Sequence, residues 1–429
     1  MSETHLLVLL HGMWGNPDHL AELHRVVAET IPGPSLHVLR AETNREDGTY
    51  DGIDWGGERV AEEIVGEVDK LKKEGRTVTR FSITGYSLGG LVARYVVGVL
   101  RQRGFFENVA PVNFNTLATP HIGLPRYRSF FSSLTSFLGA KLLSRTGEQF
   151  YCVDKWSAKG RPLLEVMADP DRIFYQALAA FETIRIYANS LNDTTVPYVT
   201  AAIEVEDIFA QQATNGLEVE IDEQYPHLIK SYTLPPVPPP PPPKPTLLSP
   251  SWFRQTKLTR PFLPPFLQFR FPMNIVLYSV LPLLIPVLIS MVLVRLSLKT
   301  RSSRARIKLL ESDRSSREKL VHVLAQLEHQ VEGAVVELID DNAGAEPTED
   351  PEGALPKARR APPEQPILTP TQRRIAAALN RLPGLKKERA HFPNVRNSHA
   401  IIVCRDVRNF ELHRRGEGVV RHWADSFVI

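Results

Sequence analysis

The stretch Gly85-Tyr86-Ser87-Leu88-Gly89 constrains the fold of this chain more than any other. The strand-like Arg80-Phe81-Ser82-Ile83-Thr84 precedes it and the helix-like Gly90-Leu91-Val92-Ala93-Arg94-Tyr95-Val96-Val97 follows it. A GxSxG pentapeptide between strand and helix is the pattern of a nucleophile elbow. The serine sits on a strained turn, and small residues on either side let the helix pack close to the strand. GxSxG alone also occurs by chance in serine-rich turns; the context favours Ser87 as a nucleophile.

Strand and helix patterns alternate around the elbow. Residues 5–10 are an apolar run, 17–30 have helical spacing (Leu20, Leu23, Val26, Val27), and 36–39 form a short strand. An amphipathic helix at 57–73 has Val60, Ile64, Val65, Val68 and Leu71 on one face, and further strands follow at 109–117 and 183–188. This alternation predicts an α/β fold, a central mostly parallel sheet with helices on both sides, with the elbow at the carboxyl end of a central strand. A length of 429 residues allows one large domain with insertions or two smaller ones. The net charge of +3 gives no pointer to nucleic acid. Two cysteines, Cys152 and Cys404, cannot build a disulfide framework and fit a reducing, cytosol-facing setting. Residues 1–10 lack a basic n-region and a small-residue cleavage site, so they read as a first core strand rather than a signal peptide.

A serine nucleophile needs a base, an acid to orient that base, and donors for an oxyanion. His11-Gly12-Met13-Trp14-Gly15-Asn16, directly after the first apolar run, offers the donors: the Met13 amide together with that of Leu88. His11 reads as a structural side chain of that loop. Asp193 follows a strand in the turn-rich Asn189-Ser190-Leu191-Asn192-Asp193-Thr194-Thr195-Val196-Pro197, where the acid of such a site usually lies; a turn or cap aspartate is the bland alternative. Among thirteen histidines, His399 stands at the boundary between a polar and an apolar stretch and completes the order Ser…Asp…His. His413 lies in a charged loop, His422 on a terminal amphipathic helix, and His121 reads as a pocket residue. No cluster has metal-ligand spacing, and neither metal nor cofactor is expected.

The rest of the chain is organised differently. Between 123 and 181, Phe130, Phe131, Leu134, Phe137, Leu138 and Leu142 recur at helical spacing between basic residues, which fits either a core helix or a mobile lid at a lipid surface. Prolines fill 235–245, a stiff polyproline spacer. Residues 251–271 mix aromatic and basic side chains, and 272–294 are apolar without a charge. Ser87 and Asp193 precede this segment and His399 follows it, so a single membrane crossing would separate base from nucleophile. A monotopic hairpin kinked at Pro282 and Pro286 is therefore expected. An amphipathic helix at 301–338, a disordered acidic-then-basic stretch at 340–366 and a basic helix at 371–382 complete the reading. The expected division is a core at 1–232 with its lid at about 123–181, a proline-rich linker at 233–250 and a membrane hairpin at 251–300. Amphipathic helices and disordered linker then occupy 301–389, and the histidine-bearing part of the core 390–429.

The motifs are also familiar together. Leu9-Leu10-His11-Gly12-Met13-Trp14-Gly15-Asn16, Tyr50-Asp51-Gly52-Ile53-Asp54-Trp55-Gly56-Gly57 and Gly85-Tyr86-Ser87-Leu88-Gly89-Gly90-Leu91-Val92-Ala93-Arg94-Tyr95 resemble the fungal putative serine esterase family of lipase-like α/β-hydrolases. Thr119-Pro120-His121, Asn192-Asp193-Thr194-Thr195-Val196-Pro197-Tyr198 and Ser398-His399-Ala400-Ile401-Ile402-Val403 extend the likeness, which covers about 4–232 and 390–429. The resemblance implies an α/β-hydrolase with Ser87, Asp193 and His399 as triad and Met13 and Leu88 as oxyanion donors. It further implies hydrolysis of glycerophospholipid acyl esters at a lipid-droplet or endoplasmic-reticulum surface. A monoacylglycerol lipase, and an inactive hydrolase-fold membrane scaffold, are the alternatives.

Overall fold

Along β1 (Ser2–Leu10) successive side chains fall on opposite faces, as the two-residue period of a strand requires. Leu6, Val8 and Leu10 join one buried apolar cluster, Leu7 and Leu9 another. A strand that is apolar on both faces is covered on both, and β1 lies inside a six-stranded parallel sheet. This structure, a computed structural model, describes residues 2–236, 239, 273–312 and 365–429. The remaining strands in chain order are β2 (Leu36–Arg40), β3 (Arg76–Tyr86), β4 (Ala110–Leu117), β5 (Thr183–Asn189), β6 (Glu218–Ile221), β7 (Ile229–Thr233) and β8 (Leu385–Ala390). Strands β6 and β7 pair with each other, antiparallel; the main sheet has the order β2-β1-β3-β4-β5-β8. Leu10 lies opposite Gly85, Tyr86 opposite Leu117, Leu117 opposite Tyr187 and Asn189 opposite Ala390. That register brings the carboxyl ends of five strands level at one edge.

Helix α1 (Ala21–Thr30) covers one face of the sheet; α2 (Ile53–Lys73) and α3 (Leu88–Gln102) cover the other. The helices that follow β4 include α4 (Phe130–Leu142), α5 (Ser144–Phe150) and α6 (Ile173–Ala179). Then come α7 (Met273–Ser312), α8 (Pro370–Leu379) and α9 (Glu417–Asp425), the last packing beside α1 through Val419 and Trp423. A parallel sheet with a serine on the sharp turn from its central strand into a helix is the α/β-hydrolase arrangement. This is the fold class that the alternation predicts.

Several elements differ from the sequence reading. Of the stretch 123–181, Phe174, Ala177 and Leu178 of α6 are core, packed with Tyr95 of α3; Phe130, Leu134 and Phe137 of α4 and Val153 beyond α5 are exposed apolar side chains. The sheet resumes before 390, because β8 is its sixth strand and α8 buries Ile375, Ala376 and Leu379. The hairpin fold at Pro282 and Pro286 is absent: α7 is one helix of 40 residues with both prolines inside it. Each proline costs the helix one hydrogen bond, and the helix continues through both. The charged turns expected to begin a separate helix at 301 are the end of α7. The linker at 240–250, the aromatic-basic stretch at 251–271, residues 313–338 and most of the stretch at 340–366 lie outside the described residues.

The two ends of α7 have different surroundings. From Val280 to Leu298 apolar side chains stand exposed on every side of the helix, Leu283 at 75% and Val287 at 60%. From Lys299 onward the helix is fastened to the loop before α2 and to α5. Thr300, Ser303 and Ile307 are buried on one face, Ile307 against Trp55. Ser303 Oγ donates to Asp51 Oδ1 at 2.7 Å, Arg306 Nη2 donates to the same oxygen at 2.8 Å, and Arg145 Nη1 meets Glu311 at 3.0 Å. Lys299 pairs with Asp47.

Candidate active site

Chain geometry at the end of β3 leaves room only for small residues. Ser87 has φ 55° and ψ −123°, a left-handed φ that L side chains avoid. Its amide donates to the Leu117 carbonyl at 2.9 Å and its carbonyl accepts from the Gly90 amide at 3.1 Å. A Cβ on Gly89 would lie 2.2 Å from the Leu10 carbonyl oxygen, and one on Gly12 would lie 2.8 Å from Ser87 Cβ. Both glycines are thus required by close approach: the helix touches β1, and the loop after β1 touches the serine.

Ser87 Oγ lies 3.0 Å from His399 Nε2, and His399 Nδ1 lies 2.9 Å from Asp193 Oδ2. A carboxylate only accepts, so the Nδ1–H donates to Asp193 and Nε2 is left to accept from the serine hydroxyl. Asp193 also accepts from Asn189 Nδ2 at 2.8 Å and from the amides of Thr195 and Val196 at 3.0 and 2.8 Å. Its side chain is 1% exposed and fixed at both oxygens. The histidine loop is pinned likewise. Ser398 Oγ donates to the Leu191 carbonyl at 2.8 Å, the His399 amide to Asn397 Oδ1 at 3.1 Å, and Tyr86 Oη to the His399 carbonyl at 3.0 Å. Burial pushes the Tyr86 phenol well above its ordinary value, which keeps it a donor.

The Met13 amide has no acceptor among the described residues. Leu88 opens α3, where the first amides have no intrahelical acceptor. Both flank Ser87, one from the β1 loop and one from the elbow. His11 turns away, its Nδ1 on the Gly12 carbonyl at 3.0 Å. His121 is buried against Thr116 Oγ1 at 2.8 Å, and burial, with Arg94 nearby, holds its imidazole well below its ordinary value. His422 packs on Tyr187 at 2.9 Å, and His413 accepts from the Asp406 amide at 3.0 Å. The sequence reading passed over two contributors, Tyr86 and Asn189. Tyr86 sits within the elbow motif itself, whereas Asn189 carries no sequence signal beyond its closeness to Asp193.

The family described as putative serine esterase (DUF676) matches residues 1–204. Over that stretch, a little under half of its length, the chain is similar to that family. The match holds Ser87 and Asp193 and ends well before His399, which only the folded chain brings to them. Among curated proteins, the chain is 31% identical over 222 residues to "Putative lipase C4A8.10" of Schizosaccharomyces pombe, covering 50% of this chain and 28% of that one. It is 26% identical over 218 residues to "Putative lipase ROG1" of Saccharomyces cerevisiae, covering 49% and 30%. The matched stretch thus spans less than a third of either relative. Among solved structures, phospholipase PlaB of Legionella pneumophila aligns with TM-score 0.29 and 14% identity over 46% of this chain and 41% of that one. The lin2722 product of Listeria innocua aligns with TM-score 0.28 and 13% identity over 46% and 77%.

Proposed function

We propose that this protein is a serine hydrolase that cleaves acyl esters of glycerophospholipids at a membrane or lipid-droplet surface. The observation that carries the reading is the unbroken contact from Ser87 Oγ through His399 to a carboxylate with both oxygens held. In this mechanism Ser87 Oγ attacks the ester carbonyl as His399 Nε2 takes its proton, and Asp193 balances the imidazolium. The tetrahedral oxyanion is met by the Met13 and Leu88 amides. His399 then returns the proton to the leaving alcohol oxygen, leaving an acyl-Ser87. Water, deprotonated by the same nitrogen, releases the fatty acid and restores the serine.

The lipid surface enters the proposal through α7 and α4. A helix whose apolar side chains stand exposed on every side suits lipid. This one is the only helix among the described residues long and apolar enough to cross a membrane. Strands from 2–189 and from 385–390 share one sheet, so the parts of the chain that carry them occupy one side of any membrane. Chain entering the lipid between 236 and 299 must leave by the same face, a monotopic arrangement. Exposed Phe130, Leu134 and Phe137 of α4 suit a lid at the same surface. The cytosolic face of a droplet or of the endoplasmic reticulum is the proposed location.

The test is fatty-acid release from phospholipid and from monoacylglycerol vesicles by the wild type and by Ser87→Ala. Ser87-dependent release from phospholipid is expected. Release from monoacylglycerol alone would replace the reading with a neutral lipase, and no Ser87-dependent release from either would leave a membrane scaffold.

A further inference from the structure

A cavity of about 410 Å³ opens between α7 and the loops that follow β1 and β2. Its apolar and aromatic wall is Trp14, Tyr50, Val292 and Leu296; its charged wall is Glu46, Asp47, Arg295 and Lys299. The place is close to the chemistry. Trp14 is two residues beyond Gly12, whose backbone abuts Ser87, and two residues reach at most about 7 Å. Trp14 is fixed there: its amide donates to Thr49 Oγ1 at 3.2 Å and its indole N–H to Tyr50 Oη at 2.8 Å. Even so, 56% of its surface remains open.

The charges of this cavity do not cancel internally. Lys299 and Asp47 pair with each other. Arg295 and Glu46, by contrast, have no side-chain hydrogen bond or ion pair among the described residues. One unpaired guanidinium, one unpaired carboxylate and two aromatic rings therefore face the same space. A simple anion would be drawn to Arg295 but opposed by Glu46. A group carrying both a phosphodiester and an ammonium satisfies both: guanidinium on phosphate, carboxylate and ring faces on ammonium.

We infer that this cavity is a headgroup subsite for zwitterionic glycerophospholipids, the phosphocholine and phosphoethanolamine class. The inference rests on the proposed esterase reading for its substrate and extends it to a specific recognition site. Arg295 holds the phosphodiester, and Glu46, Trp14 and Tyr50 hold the ammonium. Val292 and Leu296 face the glycerol and first acyl carbons. The site lies where α7 passes from its exposed apolar turns to its docked turns, the depth at which headgroups sit. The acyl ester, a few bonds from the phosphate, then reaches the serine.

The test uses the full chain carrying Ser87→Ala, titrated calorimetrically with glycerophosphocholine and, separately, glycerophosphate. Saturable binding of glycerophosphocholine is expected, weakened about tenfold by Arg295→Gln and by Glu46→Gln, the worth of one charge-assisted contact. Arg301→Gln removes the same charge from the same helix but does not line the cavity, and should leave binding alone. Glycerophosphate binding equally well, with Glu46→Gln silent, would make this a plain anion site and overturn the assignment, as would no binding. Equal weakening by Arg301→Gln would reduce the effect to general charge and overturn it too. Turnover is read separately on dihexanoylphosphatidylcholine and dihexanoylglycerol as monomers. Equal kcat/KM for both would sink the headgroup inference and leave the esterase reading standing. No Ser87-dependent turnover of either, with headgroup binding intact, would sink the esterase reading alone.

Discussion

Ser87 occupies a backbone conformation costing on the order of 1–3 kcal/mol, held by the Leu117 carbonyl on one side and by α3 on the other. In the proposed mechanism that strain lifts its hydroxyl towards His399. Asp193 has the most demanding role, because it sets which imidazole nitrogen is left to accept. Asp193→Asn is expected to retain its turn contacts but lower kcat by about 10³–10⁴-fold through the wrong tautomer. Stopped-flow turnover of a chromogenic ester, with circular dichroism to check folding, measures this. Tyr86→Phe removes one hydrogen bond from the carbonyl of His399 and should lower kcat about tenfold with KM nearly unchanged. An unchanged kcat would show that the Tyr86 contact does not position the histidine.

Elements meet at buried charges. At the crossing of α2 and α3, Glu58 is buried beside Tyr95 Oη at 3.4 Å and Arg103 at 3.5 Å. Burial raises its carboxyl from its ordinary 4.5 to about 7, and Arg103 only partly offsets that. Between those two values the folded chain keeps a proton that the unfolded chain has lost, so stability falls as pH rises through that window. Glu58→Gln does not titrate. Its stability relative to wild type should therefore rise between pH 5 and pH 8, by on the order of 1–3 kcal/mol, in urea unfolding curves at the two pH values. Where α7 docks, Asp51 accepts from Ser303, Arg306 and Arg59. Asp51→Ala leaves two arginines facing a buried void and should cost about 3–5 kcal/mol, read as a lowered unfolding midpoint. Such a loss would identify the end of α7 as part of the folded domain.

Considered as a whole, the molecule joins a buried parallel sheet to an exposed apolar helix. Leu283 and Val287 of α7 are largely exposed, so replacing both by lysine should abolish flotation with phosphatidylcholine vesicles while leaving the thermal midpoint in place. Retained flotation would move the lipid contact elsewhere, with α4 as the next candidate.

The strand and helix periods, the elbow and the loop after β1 were legible in the sequence, because apolar alternation and glycine spacing are local properties of the chain. Leu6 and Leu7 pointing to opposite faces follows from a two-residue period alone. Strand β8 was not legible. Leu385-Lys386-Lys387-Glu388-Arg389-Ala390 falls almost wholly in the stretch expected to be helix and linker, yet it completes the sheet as an edge strand. Its pairing relies on backbone bonds to β5 and on cross-strand contacts such as Arg185–Glu388 at 2.5 Å. The course of α7 was likewise not legible: a hairpin kinked at Pro282 and Pro286 is the sequence expectation, whereas one helix runs through both prolines. Ser87, Asp193 and His399 could each be chosen from their neighbours in the chain. Their meeting across 312 positions is decided by the parallel register of β3, β4, β5 and β8, which sets their carboxyl ends side by side. Local propensity is written residue by residue, but contact between distant residues exists only once the sheet has closed.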